Sequence, residues 1–253
     1  METIIPKTST VFTALLKADL TVQWRNRRAV VLSLLMPIII LMSWKNSLMP
    51  ILGGPLTLAN SLSYGLIATT LLGYSNTLAR DRDKGIFQRL RVAPMPNWAI
   101  MVSRLAVQLV MIVIIVTAIF IVGNNFDKIT LSPLGYIVTY FTAIVGAAVY
   151  LSIGQIIVGL IKNPETVNTT SRLIFIVFIM AGILATIYSA HNQSSMVAQI
   201  THWSPYGTVN IIMSAGMVPD KWNADATYAL LATVGYIIVF GTIGIQKFKW
   251  DSK

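Results

Sequence analysis

The segment best suited to recognition chemistry is residues 79–96, "ARDRDKGIFQRLRVAPMP". Seven of its 18 residues are charged, whereas only 11% of the whole chain of 253 residues is charged. These seven are Arg80, Asp81, Arg82, Asp83, Lys84, Arg89 and Arg91. A loop that only connects two apolar stretches needs few polar residues. The alternatives are therefore a basic loop that fixes membrane orientation and a segment that docks on a partner.

The residues after Gly85 indicate which of the two alternatives to favour. Ile86, Phe87 and Leu90 share one face of a short helix, and the residues between them are polar. Pro94 then stops the helix, because proline removes a backbone donor and restricts the residue before it. The pattern predicts a short amphipathic helix within 82–93, which lies on lipid headgroups or fits a groove in a soluble partner.

The sequence offers few residues that could act as catalytic groups or metal ligands. The chain has no cysteine and two histidines, His191 and His202, which we expect to be polar surface residues. None of its 16 glycines precedes a lysine, so the Gly-Lys step of a P-loop is missing. The sequence predicts no catalytic residues, metal site or cofactor on this chain, and any ATP and Mg²⁺ would be bound by a separate subunit.

The composition indicates a membrane protein. Hydrophobic residues make up 55% of the chain, and its mean hydropathy is +0.70. A membrane-crossing helix needs about 20 mainly apolar residues. Six stretches qualify: 29–48, 57–79, 102–122, 131–161, 173–190 and 226–246. We therefore predict an all-α polytopic membrane protein with six transmembrane helices, forming a single transmembrane domain over residues 1–253.

The basic residues predict the orientation. With the N-terminus inside, 16 of the 19 Lys and Arg residues fall on the cytoplasmic side. Both termini are then cytoplasmic, and the lipid bilayer is the main partner of the chain. Anionic lipid headgroups and topology account for the net charge of +10, so we predict no nucleic-acid binding.

The interiors of the predicted spans carry no ionisable residues other than those near their ends. Ion-coupled carriers usually place such groups at membrane depth, so this class is disfavoured. A membrane hydrolase is disfavoured further, because no nucleophile could be activated. The candidate polar residues of the pathway or of helix packing are Thr69, Thr70, Gln108, Gln155, Asn168 and Thr169. We expect helix–helix hydrogen bonds from them rather than cargo contacts.

Two further segments combine apolar and polar residues. In 7–28, four apolar residues recur every fourth position between polar ones, which predicts an interfacial helix or an extension of the first span. These are Phe12, Leu16, Leu20 and Trp24. Residues 195–216 form two short apolar halves around 203–207, which predicts an external re-entrant helical hairpin. Trp203 and Tyr206 are expected to be interfacial anchors.

The segment "RDRDKGIFQRLRVAPMP" resembles the signature of type-2 ABC exporter permeases, and the likeness extends along the whole chain in the manner of the drug-export branch. The resemblance implies that 82–93 is the coupling helix, which sits in a cleft of a cytoplasmic ATPase, and that 7–28 is the connecting helix. Asp83, Gly85, Leu90 and Pro94 match the motif, and Phe87 and Arg91 would be neighbouring contacts. Ile86-Phe87 departs from the Thr-Leu common in the drug-export branch.

The same resemblance implies the assembly and the function. Two copies of an ABC ATPase would pair with two permeases, identical or paralogous, in the plasma membrane of a bacterium. The cargo would be amphiphilic or hydrophobic, such as a drug, a lipid or an antimicrobial peptide. A polysaccharide or lipid-linked glycan exporter is the alternative within this architecture. A nucleotide-independent carrier or channel and a membrane scaffold are the alternatives of another class.

Overall fold

A computed structural model describes residues 8–47, 49–91, 97–191 and 196–247. Within these ranges the chain forms helices and no strands. The helices are α1 Thr8–Arg25, α2 Arg27–Trp44, α3 Met49–Leu52, α4 Gly54–Leu66, α5 Tyr74–Asp83, α6 Ile86–Arg91, α7 Asn97–Asn125, α8 Pro133–Leu160, α9 Pro164–His191, α10 Met196–Trp203, α11 Pro205–Met217 and α12 Ala224–Lys247. A π-helical segment, Ile67–Gly73, joins α4 to α5, and a 3₁₀ turn, Pro219–Lys221, precedes α12.

The protein is a multi-pass membrane protein. Among the described residues, five helical stretches are long and apolar enough to cross a bilayer. These are Gly54–Asp83, Ala99–Asn125, Pro133–Leu160, Pro164–Ala185 and Ala224–Lys247. The predicted first span is helical as α2, but its described apolar stretch, Ser33–Trp44, is shorter than the others. Six spans therefore remain a prediction.

Several helices begin before the apolar stretch that predicted them, because hydropathy marks the hydrocarbon core and not the helix cap. The fifth predicted span starts at 173, whereas α9 starts at Pro164. The Asn163 side chain accepts a hydrogen bond from the Glu165 N–H at 2.8 Å, which caps the helix. Proline as the first helical residue suits this position, since it has no N–H to leave unpaired.

The continuous helix from Gly54 to Asp83 lies at the centre of the fold. Its apolar span is 78% buried, against 28% for the span in α9 and 17% for the span in α12. Leu58 and Leu62 belong to a hydrophobic core that continues into α7 through Ile115 and Ile119. This helix is therefore packed against its neighbours along most of its length.

The π-helical segment interrupts this central helix halfway along. The Tyr74 N–H reaches the carbonyl of Thr69, five residues earlier, where an α-helix would bond four residues earlier. Such bulges occur frequently at functional sites. Here the bulge separates the half that begins at Gly54 from the half that carries the charged segment.

Candidate functional site

The charged segment turns sharply at Gly85. The Lys84 N–H donates to the Arg80 carbonyl and the Gly85 N–H to the Arg82 carbonyl, both at 3.0 Å, which closes the end of α5. Gly85 has φ +65°, a left-handed conformation that glycine adopts at little cost. The Arg89 N–H then donates back to the Gly85 carbonyl at 3.2 Å and starts α6. The glycine thus sets the angle between α5 and α6.

Helix α6 is attached to the body of the protein through Phe87, whose side chain is fully buried. Gln88 and Arg89 are exposed on the other side, and Asp83 is exposed at the end of α5. The resemblance implied that Phe87 contacts a partner; in this chain its side chain packs in the hydrophobic core, and the partner contact stays a prediction. The side chains of Leu90 and Arg91 lie outside the described residues, as does the whole of Pro94.

Arg82, one of the seven charged residues of the segment, is buried. Its guanidinium donates to the carbonyls of Val158 and Ile161, both at 2.6 Å, and of Lys162 at 2.9 Å. These carbonyls end α8, where backbone acceptors lack intrahelical partners and carry partial negative charge. Arg82 therefore fixes the end of α5 to the α8–α9 turn.

A second polar network joins α1, α5 and α7. Arg104 pairs with Asp81 at 2.6 Å and with Asp19 at 3.4 Å, and the Ser103 hydroxyl donates to Asp19 at 2.6 Å. All three charged side chains are at least mostly buried. Removing one member would leave a buried charge without its partner, which is costly. The base of the charged segment is thus bonded to three helices.

The apolar stripe predicted on α1 is not the face that packs most closely. Asp19 is buried against α7, whereas Phe12, Leu16 and Leu20 are half-buried and Trp24 is 62% exposed. An open groove of about 500 Å³ runs along Leu16, Leu20 and Trp24. The stripe therefore remains open in this chain, as an interfacial helix requires.

The polar residues predicted inside the spans differ in what they bond. The Tyr74 hydroxyl donates to Gln155 at 2.8 Å, and Asn76 donates to Asn168 at 3.3 Å, so both bonds join different helices. Thr70 and Thr169 instead donate to carbonyls of their own helices. Two buried atoms, Thr69 Oγ1 and Gln108 Oε1, have no partner among the described residues.

A buried polar cluster between α4 and α11 was missed at the sequence level. Asn60 Oδ1 accepts from the Tyr206 hydroxyl at 2.8 Å and from Asn210 Nδ2 at 2.9 Å. Tyr206 is 1% exposed, so its prediction as an interfacial anchor was wrong, whereas Trp203 is 42% exposed. The partners are 146 and 150 residues apart, so no local spacing could have revealed the cluster.

A family model described as "ABC-2 type transporter" matches residues 10–218. The chain belongs to the ABC-2 type transporter family. It is also 22% identical over 142 residues to a protein of Bacillus subtilis (strain 168) named "Putative transport permease YvfS". That match covers 56% of this chain and 57% of the relative, so it spans little more than half of either protein.

Members of this family are transport permeases that normally work with an ATPase partner and are generally not enzymes themselves. Within the described part of this ABC-2 permease, no group of three or more His, Cys, Asp or Glu side chains could hold a metal ion.

Proposed function

We propose that this chain is the permease subunit of an ABC exporter, driven by a separate ATPase that docks on α6. The observation that supports this most is how α6 is anchored on one side and exposed on the other. Gly85 sets its angle and buried Phe87 holds it, while the exposed Arg89 faces outward. A short helix with a fixed base and an open polar side is suited to insertion into a groove of a soluble partner.

The contacts behind α6 support transmission of force to the membrane. Arg82 bonds the end of α5 to the α8–α9 turn, and the Asp81–Arg104–Asp19 network bonds it to α7 and α1. A movement of α6 therefore displaces the central helix together with its neighbours. Coupling by an ATPase further requires that the docked contacts differ between its nucleotide states.

The proposal includes the assembly and the direction of transport. Two permeases, identical or paralogous, pair with two ATPases that bind ATP and Mg²⁺, and cargo moves outward across a bacterial plasma membrane with both termini inside. The apolar spans suit amphiphilic or hydrophobic cargo, such as a drug, a lipid or an antimicrobial peptide. A polysaccharide or lipid-linked glycan exporter is the second candidate, since neutral hydrogen-bonding side chains, Asn60 and Asn210 among them, line a cavity of about 790 Å³.

Co-purification from the native host tests the docking. We expect the permease, extracted in mild detergent, to carry an ATPase chain and to show ATP hydrolysis. Arg89→Glu should reduce the recovered ATPase at least tenfold, because it reverses an exposed charge on α6. Lys247→Glu makes the same reversal at an exposed position on α12 and should leave recovery unchanged.

Transport by the purified permease alone, without nucleotide, would instead support a carrier or channel. Recovery of a soluble partner without ATP-dependent flux would support a scaffold. Either result would refute the proposed exporter function.

A further inference from the structure

A large cavity lies at the end of the helix bundle opposite α6. It has a volume of about 790 Å³ and opens between α4, α10, α11 and the beginning of α12. This volume is within the usual range of small-molecule sites, about 300–1,000 Å³. Asn60 on its wall is 23 residues from Asp83 along the central helix, which corresponds to roughly 35 Å. The cavity is therefore separate from the charged segment and α6.

The wall of the cavity contains two amides that are more than nine-tenths buried. Asn60 is 4% exposed and Asn210 is 8% exposed, and both line the cavity. Asn60 Oδ1 is occupied by the Tyr206 hydroxyl and by Asn210 Nδ2. Among the described residues, Asn60 Nδ2 and Asn210 Oδ1 have no hydrogen-bond partner. A ligand in the cavity can therefore meet one donor and one acceptor there.

This pairing does not depend on how each amide is oriented. If both amides were flipped, Asn60 Nδ2 would donate to Asn210 Oδ1, and the free atoms would be Asn60 Oδ1 and Asn210 Nδ2. In either case one donor and one acceptor of these two lining residues remain without a partner among the described residues. Hydroxyl groups match this pair, because each can donate and accept at once.

The other polar residues of the lining carry little net charge. Gln199, Thr201 and Asn223 add neutral hydrogen-bonding groups. The only acidic side chain in the lining is Asp225, which contacts His202 Nε2 at 2.9 Å, and no Lys or Arg is among the described lining residues. Phosphate or sulfate groups would meet no Lys or Arg among the described lining residues, and His202 already faces the Asp225 carboxylate, so an added anionic charge would be poorly paired.

The lining also includes the apolar side chains of Leu56, Ala185 and Ile211, together with the partly exposed Trp203. A ligand with a polar group at the amides can therefore place an apolar part against these residues. The cavity combines neutral hydrogen-bonding groups with apolar side chains, which is the pattern of a site for an uncharged amphiphile.

We infer that this cavity binds the uncharged hydroxylated headgroup, glycosyl or polyol, of an amphiphilic molecule. We infer further that this molecule is the cargo of the permease. That second step rests on the proposed exporter function, whereas the binding itself does not. The Asn60 and Asn210 amides contact the hydroxyls, and the alkyl part lies toward Leu56 and Ile211.

Equilibrium binding of tritiated octyl glucoside tests the inference. The intact permease is placed in phosphatidylcholine nanodiscs, the ligand is kept below its micellar concentration, and empty nanodiscs give the baseline. We expect saturable binding. Octylphosphocholine and octyltrimethylammonium have the same alkyl chain, so they should compete at least tenfold less well, because only their headgroups differ.

Three variants locate the binding. Asn60→Leu and Asn210→Leu should each weaken octyl glucoside binding roughly tenfold, which corresponds to about 1.4 kcal/mol. Leu56→Trp narrows the cavity without altering the amide cluster, so it should weaken octyl glucoside binding at least as much. It tests the site independently if an Asn variant fails to fold. Asn168→Leu is the matched control, because its amide bonds Asn76 away from the cavity, and it should bind normally.

Equal competition by the three octyl ligands would overturn the inference, as would parental affinity in the folded cavity variants. If octyl glucoside binds as expected but no ATPase co-purifies, the site stands and the exporter function fails. If an ATPase co-purifies but octyl glucoside does not bind, the exporter function stands and the site is refuted.

Discussion

At the scale of single residues, the burial of the charged Arg82 side chain needs a physical explanation. A buried guanidinium is retained only where it is well paired, and here three carbonyls at the end of α8 accept from it. Charge count alone gave no reason to separate Arg82 from its neighbours. Helical spacing does distinguish it. Arg82 lies four residues after Leu78, which is buried, so both side chains are on the inward face of α5.

Arg82→Met should lower the free energy of unfolding by about 2 kcal/mol, because it leaves helix-end carbonyls without donors. Arg80→Met removes an exposed charge from the same helix and should change the free energy of unfolding by less than about 0.5 kcal/mol. Chemical unfolding of both variants in the same lipid or detergent measures the difference. Equal stability of the two variants would show that the Arg82 contacts add nothing.

At the scale of helices, the close approach of α9 to α4 and α11 depends on Gly182. A β-carbon at this position would overlap the hydroxyls of both Tyr64 and Tyr206. These two rings are stacked on each other, with centroids 5.6 Å apart. The glycine therefore lets α9 pack directly on the polar cluster beside the cavity.

We expect Gly182→Ala to lower the free energy of unfolding by roughly 1–3 kcal/mol through overpacking. Gly235→Ala is the matched control in another membrane helix, because a β-carbon there meets nothing within 4 Å. It should be neutral or slightly stabilising, since alanine restricts the unfolded chain. Thermal unfolding of the two variants in identical detergent compares them, and a greater loss for Gly235→Ala would contradict this packing.

Sequence patterns identified most of these helices and the charged segment between α4 and α7, because both depend on local hydropathy and on glycine and proline. They could not show which charged or polar residues turn inward. Asp81, Arg104 and Asp19 form one network only after three helices pack together. Phe87 looked like part of an open apolar face, and its burial depends on the body to which α6 is attached.

At the scale of the whole molecule, the features divide between the two ends of the central helix. The end at Asp83 carries the charged segment and the networks that bind it to α1, α7 and α8. The end at Gly54 lies beside the cavity lined by Asn60 and Asn210. If the proposed exporter function is right, this helix connects the ATPase contact with the cavity.

The central claim is that α6 contacts a nucleotide-hydrolysing subunit. Site-specific photo-cross-linking in the native host, with the photoreactive residue placed at position 89, tests it most directly. We expect a cross-link to an ATPase chain from position 89 and none from position 247 on α12. A photoreactive position 89 that captures only lipid, or yields no ATPase cross-link in correctly inserted protein, would contradict it.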